Sequence, residues 1–336
     1  MILQNQDIIQ KIFSTGSAGF ESCALEVFNY QYEHCTVYRQ YCKLIQRPPE
    51  HTHTLSQIPF LPIQFFKTKK IGNDAGEAAL IFESSGTTNS INSRHYVQDA
   101  GVYEQSFLSG FKKFYGNADQ YCIIGLLPSY LERGHSSLVY MVNRLIAESK
   151  NEKSGFYLHD FKKLSLQLEE NEKNGKPTLL IGVTYALLDF ADQFEMKLKN
   201  TIIMETGGMK GRRKEITRSE VHDTLKQRLG VHEVHSEYGM TELLSQAYSN
   251  SNGIFTCPPW MKVLIRAEDD PFEILEANKL SGKYRAGAIN IIDLANINSC
   301  SFIATDDVGK LYPNDSFEII GRLDNSDIRG CGLMIL

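Results

Sequence analysis

The sequence predicts an α/β fold in which helices cover mainly parallel sheets, joined to a small β-rich subdomain. Three observations predict it. From Ala78 onward, short runs of β-type residues alternate with helix-type runs, the pattern that builds a parallel sheet with helices on its faces. After about residue 255 the text becomes strand-rich and is broken by turn residues. A composition of 42% hydrophobic and 22% charged residues is that of an ordinary globular chain.

Taken in order, roughly the first 55 residues read as helical, with Phe20, Leu25, Phe28, Tyr32 and Tyr38 spaced as one helix face requires. IPFLPIQFF (58–66) carries two prolines among large apolar residues, which predicts an extended, packed lead-in segment. ALIF then forms a strand, YVQDAGVYEQSFLSGFKKF a helix, YCIIGLL a strand and SSLVYMVNRLIAES a helix. TLLIG, TIIME and VHEVHS are further strands. The helix after TIIMETGG has its own start signal, because Thr217 and Glu220 make a capping box and Val221, Leu225 and Leu229 fall on one face. MKVLIRA, YRAGAINIIDL, CSFIATDD and SFEIIGR supply the β-rich end. The expected organisation is a helical segment 1–60, an α/β core 61–255 and a β-rich subdomain 256–336, with no repeat or long linker between them.

A formal net charge of −5 gives no electrostatic footprint for nucleic acid or an anionic membrane. The N-terminus MILQNQDIIQKIF lacks the basic and apolar regions of a secretion signal, and nowhere do 18 apolar residues run together, so the expected location is cytoplasmic without membrane insertion. Seven scattered cysteines, at 23, 35, 42, 122, 257, 300 and 331, include no CxxC pair and argue against a disulfide framework or structural zinc. Six of them read as small buried hydrophobes. HTH at 51–53 and the pair His232, His235 lack the ligand set or spacing of a metal site.

Five strings carry chemistry. ESSGTTNS (83–90) fits neither GxxxxGK[ST] nor GxGxxG, and alone it equally suits a glycine–serine turn. Its backbone N–H groups and the hydroxyls of Ser84, Ser85, Thr87 and Thr88 can nevertheless donate to phosphate oxygens, while Gly86 permits close approach of the main chain. TGGMKGRR (206–213), SEYGMTELLSQ (236–246), ATDDVG (304–309) and GRLDNSDIRG (321–330) follow. In this order the strings resemble the superfamily of AMP-forming acyl and aryl ligases, which use ATP to adenylate a carboxylic acid. Within it, the chain resembles in particular the acyl-protein synthetase family, typified by the synthetase component of the fatty-acid reductase of luminous bacteria. IPFLPIQFFKT, ESSGTT with SRHYV, LPSYLERGHSSLVYMV, GGMKGRR, YGMTELLSQAY and GRLDNSDIRGC carry that likeness, from about residue 58 to the C-terminus.

The resemblance implies a fold of the AMP-forming ligase N-terminal domain type and an adenylate-forming role for 61–255. It implies that residues 84–88 close over the β- and γ-phosphates of ATP and that Gly207, Gly208 and Met209 form the adenine wall. In YGMTE, comprising Tyr238, Gly239, Met240, Thr241 and Glu242, it has the tyrosine stack on adenine, the threonine donate to the α-phosphate and the glutamate hold Mg²⁺. Asp307, rather than Asp306, takes the ribose hydroxyls, with Arg322 on the same sugar. His135 would line the acyl pocket. No base is needed, since the substrate carboxylate is already ionised.

Two departures stand out. Asn89 to Ser93 occupy the place of a glycine and a Pro-Lys pair in many relatives, so the loop's nearby cation is Arg94, with Lys210 or Arg212 as assistants. The chain also ends 14 residues after Arg322, so a separate C-terminal ligase domain with its lysine is expected to be absent. Cys331, nine residues beyond Arg322, can span up to about 30 Å if extended, and it matches the family's acyl-accepting cysteine. The implied partners are a carboxylic acid such as a fatty acid and an acyl-accepting protein, reductase subunit or carrier protein. Direct ligation to CoA or an acyl carrier protein is the enzymatic alternative, and a non-catalytic nucleotide-binding subunit is the other.

Overall fold

The computed structural model describes residues 2–74, 76–84, 91–128, 135–158, 160–207, 216–275 and 283–323. At the N-terminus, α1 (Ile2–Ser14), α2 (Phe20–His34) and α3 (Thr36–Leu44) supply the expected helices. The face of α2 made by Phe20, Cys23, Ala24, Val27 and Phe28 is buried, as its spacing requires. Gln31 on that helix donates through its amide to the carbonyls of Asn296 and Ile297 at 2.8 and 3.1 Å, which ties the helical segment to the C-terminal part of the chain.

The lead-in segment is extended through β1 (Leu61–Pro62) and then turns into the short helix α4 (Phe65–Thr68). No proline follows Pro62 there, so Phe65 and Phe66 are free to take helical geometry. β2 (Leu80–Glu83) and β3 (Arg94–Val97) form an antiparallel hairpin, in which Glu83 pairs with Arg94. Tyr96 and Val97 therefore belong to a strand, and α5 (Ala100–Tyr115) starts later than the sequence suggests, where the Asp99 carboxylate accepts from the Gly101 amide at 2.8 Å.

The main sheet has the order β5-β4-β6-β7-β8-β9, with β4 (Cys122–Leu126), β5 (Gly155–Phe156), β6 (Thr178–Gly182), β7 (Thr201–Glu205) and β8 (Val234–Tyr238) parallel, and β9 (Ala247–Ser249) antiparallel at the edge. Every residue of β4 and β6 is buried, which is why both read as unbroken apolar runs. The connecting helices are α6 (Ser137–Ser149), α7 (Phe161–Lys173), α8 (Thr184–Gln193) and α9 (Arg218–Leu229). At the start of α9 both halves of the predicted capping box form: the Thr217 hydroxyl accepts from the Glu220 amide, and the Glu220 carboxylate accepts from the Thr217 amide at 2.7 Å. Such a cap stabilises a helix by about 1 kcal/mol.

The second sheet has the order β10-β14-β13-β12-β11, built from β10 (Ile254–Phe255), β11 (Met261–Arg266), β12 (Arg285–Asp293), β13 (Phe302–Leu311) and β14 (Phe317–Arg322). Two short strands from the stretch 61–255 enter it beside those of the β-rich end, since β1 pairs with β13 and β10 with β14. β12 covers one edge of β13. Along the other edge, β1 pairs with Ile303 and Ala304 while β14 pairs with Asp307 to Leu311, leaving Thr305 and Asp306 between them. That gap faces the ends of the parallel strands, where α/β sheets place their ligands. Among the described residues no helix is long and apolar enough to cross a membrane.

Candidate active site

A cavity of about 470 Å³ opens where the two sheets meet, lined by Ser84 and Ser93, by Glu237 and Gly239 to Glu242, by Thr305 to Asp307, and by Arg322. Ser84 and Ser93 hold the neck of the hydroxyl-rich loop through reciprocal bonds, the Ser84 amide to the Ser93 carbonyl at 3.0 Å and the Ser93 amide to the Ser84 hydroxyl at 2.9 Å. Ser85, Gly86, Thr87 and Thr88 lie outside the described residues, as do Gly208, Met209, Lys210, Arg212 and Cys331. Arg94 is bound by Glu83 at 2.9 Å across the hairpin, so the cation nearest the loop in sequence is already paired.

Asp307 is buried and engaged at both oxygens: Tyr238 donates to Oδ2 at 2.7 Å and Arg322 to Oδ1 at 3.1 Å. The register explains the second contact, because Asp307 and Arg322 are direct partners on β13 and β14. Asp306, its neighbour, points the other way and accepts from the Gln64 amide at 2.6 Å. The Tyr238 ring packs edge-on against Phe317 at 5.5 Å and tilted against Phe255 at 5.8 Å, and it is not among the residues lining the cavity. Burial, reinforced by the Asp307 charge, raises its hydroxyl well above the ordinary range and keeps it a donor.

The turn after β8 is fixed from behind. His95 Nδ1 meets the Thr241 carbonyl at 2.8 Å, and burial pushes the imidazole down to about 4, so the ring is neutral and donates through Nδ1. Asn296 donates to the Glu242 carbonyl at 2.8 Å, and the Asp293 carboxylate accepts from the Leu244 and Ser245 amides at 2.8 and 2.9 Å. Thr241 and Glu242 are thereby presented to the cavity with their carbonyls satisfied. Glu242 is buried, and that burial raises its carboxyl, with the Ser93 hydroxyl and the charges of Arg322 and Lys67 opposing the shift only in part. A carboxylate so short of compensating charge suits a hard cation, and a magnesium ion bound chiefly through phosphate oxygens needs only one or two protein carboxylates. Among the described residues no cluster of three or more His, Cys, Asp or Glu forms a self-sufficient metal site.

Gly207 takes φ +71°, a conformation that favours glycine, and its amide donates to Glu205 at 2.8 Å. Glu205 ends β7. Although burial opposes ionisation, the His222 ring, the Arg218 guanidinium, the Gly207 amide and the Ser236 hydroxyl bring its carboxyl down to about 2.

Sequence reasoning missed three groups. Lys67 lines the cavity, carried there by the β1 pairing, the buried Phe66 and the Gln64–Asp306 bond; its only signal was the FFKT end of the lead-in segment. Among the described cavity residues the cations are Lys67 and Arg322, and only Arg322 is committed to a carboxylate. Glu237 and Gln246 also line the cavity. His135 does not: Ser136, Ser137 and Leu138 do, together with Tyr103 and Met141. Of the remaining cysteines, Cys23, Cys35, Cys42, Cys122 and Cys300 are buried and Cys257 is partly so.

The family model described as acyl-protein synthetase, LuxE, matches residues 13–336. A long-chain-fatty-acid–luciferin-component ligase of Aliivibrio fischeri is 24% identical over 92% of this chain and 85% of its own length. Among solved structures, ATP-bound MatB from Rhodopseudomonas palustris is 15% identical, with a TM-score of 0.54 over 74% of this chain and 49% of the other. O-succinylbenzoate coenzyme A synthetase (MenE) from Bacillus subtilis, with ATP and magnesium, is 16% identical, with a TM-score of 0.51 over 74% of this chain and 51% of the other. The chain thus spans about half the length of these two structures and shares their fold.

Proposed function

The chain belongs to the acyl-protein synthetase family, and from that premise we propose that it is an ATP-dependent, AMP-forming acid–thiol ligase. In the first step a carboxylate oxygen attacks the α-phosphorus of ATP, the bond to pyrophosphate breaks, and acyl-AMP forms. In the second a thiolate attacks the acyl carbon and AMP leaves.

One observation carries this reading. Ser84, Thr241, Glu242, Asp307 and Arg322, drawn from four separated stretches of sequence, line a single cavity at the mouth of the parallel sheet. In this reading Asp307 accepts the ribose hydroxyls with its remaining lone pairs and Arg322 flanks the same sugar. Thr241 donates to the α-phosphate. Glu242 holds Mg²⁺, which offsets the repulsion between carboxylate and polyphosphate. Ser84 and the loop beyond it give neutral donors to the outer phosphates, and Lys67 adds the mobile positive charge that Arg94, paired to Glu83, does not bring. Tyr238 acts through Asp307, orienting its carboxylate, rather than as a stacking surface for adenine.

Cys331 is the proposed first acyl acceptor, a role that rests on the family likeness of GRLDNSDIRGC. A protein partner or carrier would then take the acyl group. The Aliivibrio relative is named for a long-chain fatty acid. Exchange of labelled pyrophosphate into ATP that depends on added carboxylate tests the first step. No exchange with a broad panel of acids would leave a nucleotide-binding subunit as the better reading.

A further inference from the structure

On β8, successive side chains point to opposite faces. Ser236 and Tyr238 share one face, where their hydroxyls reach Glu205 and Asp307. His235 and Glu237 share the other, where His235 Nδ1 meets the Tyr115 hydroxyl of α5 at 3.2 Å. Glu237 therefore lies across the strand from Asp307, on the side of the cavity walled by Tyr103 of α5 and by Ser137, Leu138 and Met141 of α6.

Gln246 reaches the same place from the edge of β9. A β-carbon built on Gly239 would lie 2.5 Å from Glu237 Oε1 and 3.5 Å from Gln246 Cγ, so the two side chains converge over that glycine. Gln246 is 6% exposed and its amide oxygen has no hydrogen-bond partner. The Glu237 carboxyl has no hydrogen bond or ion pair with another described residue. Burial, with the Glu205 charge behind it, pushes its carboxyl up to about 8, so at neutral pH it holds a proton and can both donate and accept. Two converging polar groups without partners are what an unsubstituted alkyl chain would leave unsatisfied, and what a polar substituent would satisfy.

We propose that Glu237 and Gln246 form a subsite for the acyl part of the substrate, selecting a carboxylic acid that carries a hydrogen-bond donor, a hydroxyl or an amine, over its unsubstituted parent. The proposal rests on the reading of the cavity as an acid-activating site. It departs from a plain fatty acid as substrate.

The test uses the full chain with butanoate, octanoate and tetradecanoate and with their hydroxy and amino counterparts. Carboxylate-dependent pyrophosphate exchange should give at least one substituted acid a kcat/KM roughly 100-fold or more above its parent, since a site built to bond a substrate hydroxyl or amine rejects the analogue lacking it. Glu237→Leu should collapse that ratio to below about tenfold, whereas Glu237→Gln should keep most of it. A wild-type ratio near one, or a ratio unchanged in Glu237→Leu, overturns the proposal. Should Glu237→Leu fail to fold, Gln246→Leu is read against the same ratio. Thermal shift with the acids alone separates the two readings. If no acid drives exchange, the ligase reading fails; a shift produced by substituted acids only and lost in Glu237→Leu still supports the subsite, and equal or absent shifts overturn it.

Discussion

The Tyr238 hydroxyl donates to Asp307 Oδ2 at 2.7 Å while Arg322 holds Oδ1, so two strands of one sheet and the last parallel strand of the other meet on a single carboxylate. Removing the tyrosine hydroxyl leaves Asp307 aimed by one partner instead of two.

Tyr238→Phe should therefore raise KM for ATP about 10-fold with a smaller change in kcat, because a hydrogen bond to a charged group contributes about 1.5–3 kcal/mol. Initial-rate exchange kinetics at varied ATP check it. A Tyr238→Phe protein with wild-type KM would show that Asp307 needs no such support.

Lys67 is exposed at the cavity edge, so Lys67→Ala should leave the unfolding free energy within about 0.5 kcal/mol of wild type. Its kcat in pyrophosphate exchange should fall about 100-fold, the scale of losing one preorganised donor to developing charge, and Lys67→Arg should recover part of it. Equal rates for wild type and Lys67→Ala would assign phosphate neutralisation elsewhere.

His95 gives a pH signature. Its folded value of about 4 lies below the ordinary 6.5, so its contribution is complete above 6.5 and lost as pH falls toward 4, by roughly 3 kcal/mol in all. In that window the unfolded chain takes up a proton that the folded chain refuses. Denaturant unfolding of His95→Gln across the same range should show a shallower loss than wild type; parallel pH curves would disprove the assignment.

Cys331→Ala should form adenylate at the wild-type rate yet lose the hydroxylamine-sensitive acyl-enzyme. A labelled band that persists would move acyl transfer to another thiol. Running the same gel with CoA added distinguishes protein from coenzyme as acceptor.

Much of the fold was legible because its signals are local. The buried runs CIIGL and TLLIG, the switch to alternating text after residue 255 and the Thr217–Glu220 box each follow from residues within a turn or two of one another. Boundaries slipped where local preference was neutral: Tyr96 and Val97 read as helix until pairing with Ile81 and Leu80 made them strand. The blocks around Ser84, Thr241, Glu242, Asp307 and Arg322 were legible as chemistry through family likeness. Arg94 was the natural guess for a loop cation because nothing in the sequence reveals its hairpin partner Glu83.

By itself, then, the sequence determined the alternating α/β core, the strand-rich end and which residues carry reactive groups, since those depend on periodicity and residue type. Tertiary structure alone decided which groups share a cavity. It set β1 beside β13, more than 240 positions away in the chain, and so brought Lys67 to the site; it turned Tyr238 toward Asp307 and Glu237 away from it. A strand's pattern says that neighbours face opposite ways, but only the layers packed against each face say which neighbour meets the ligand.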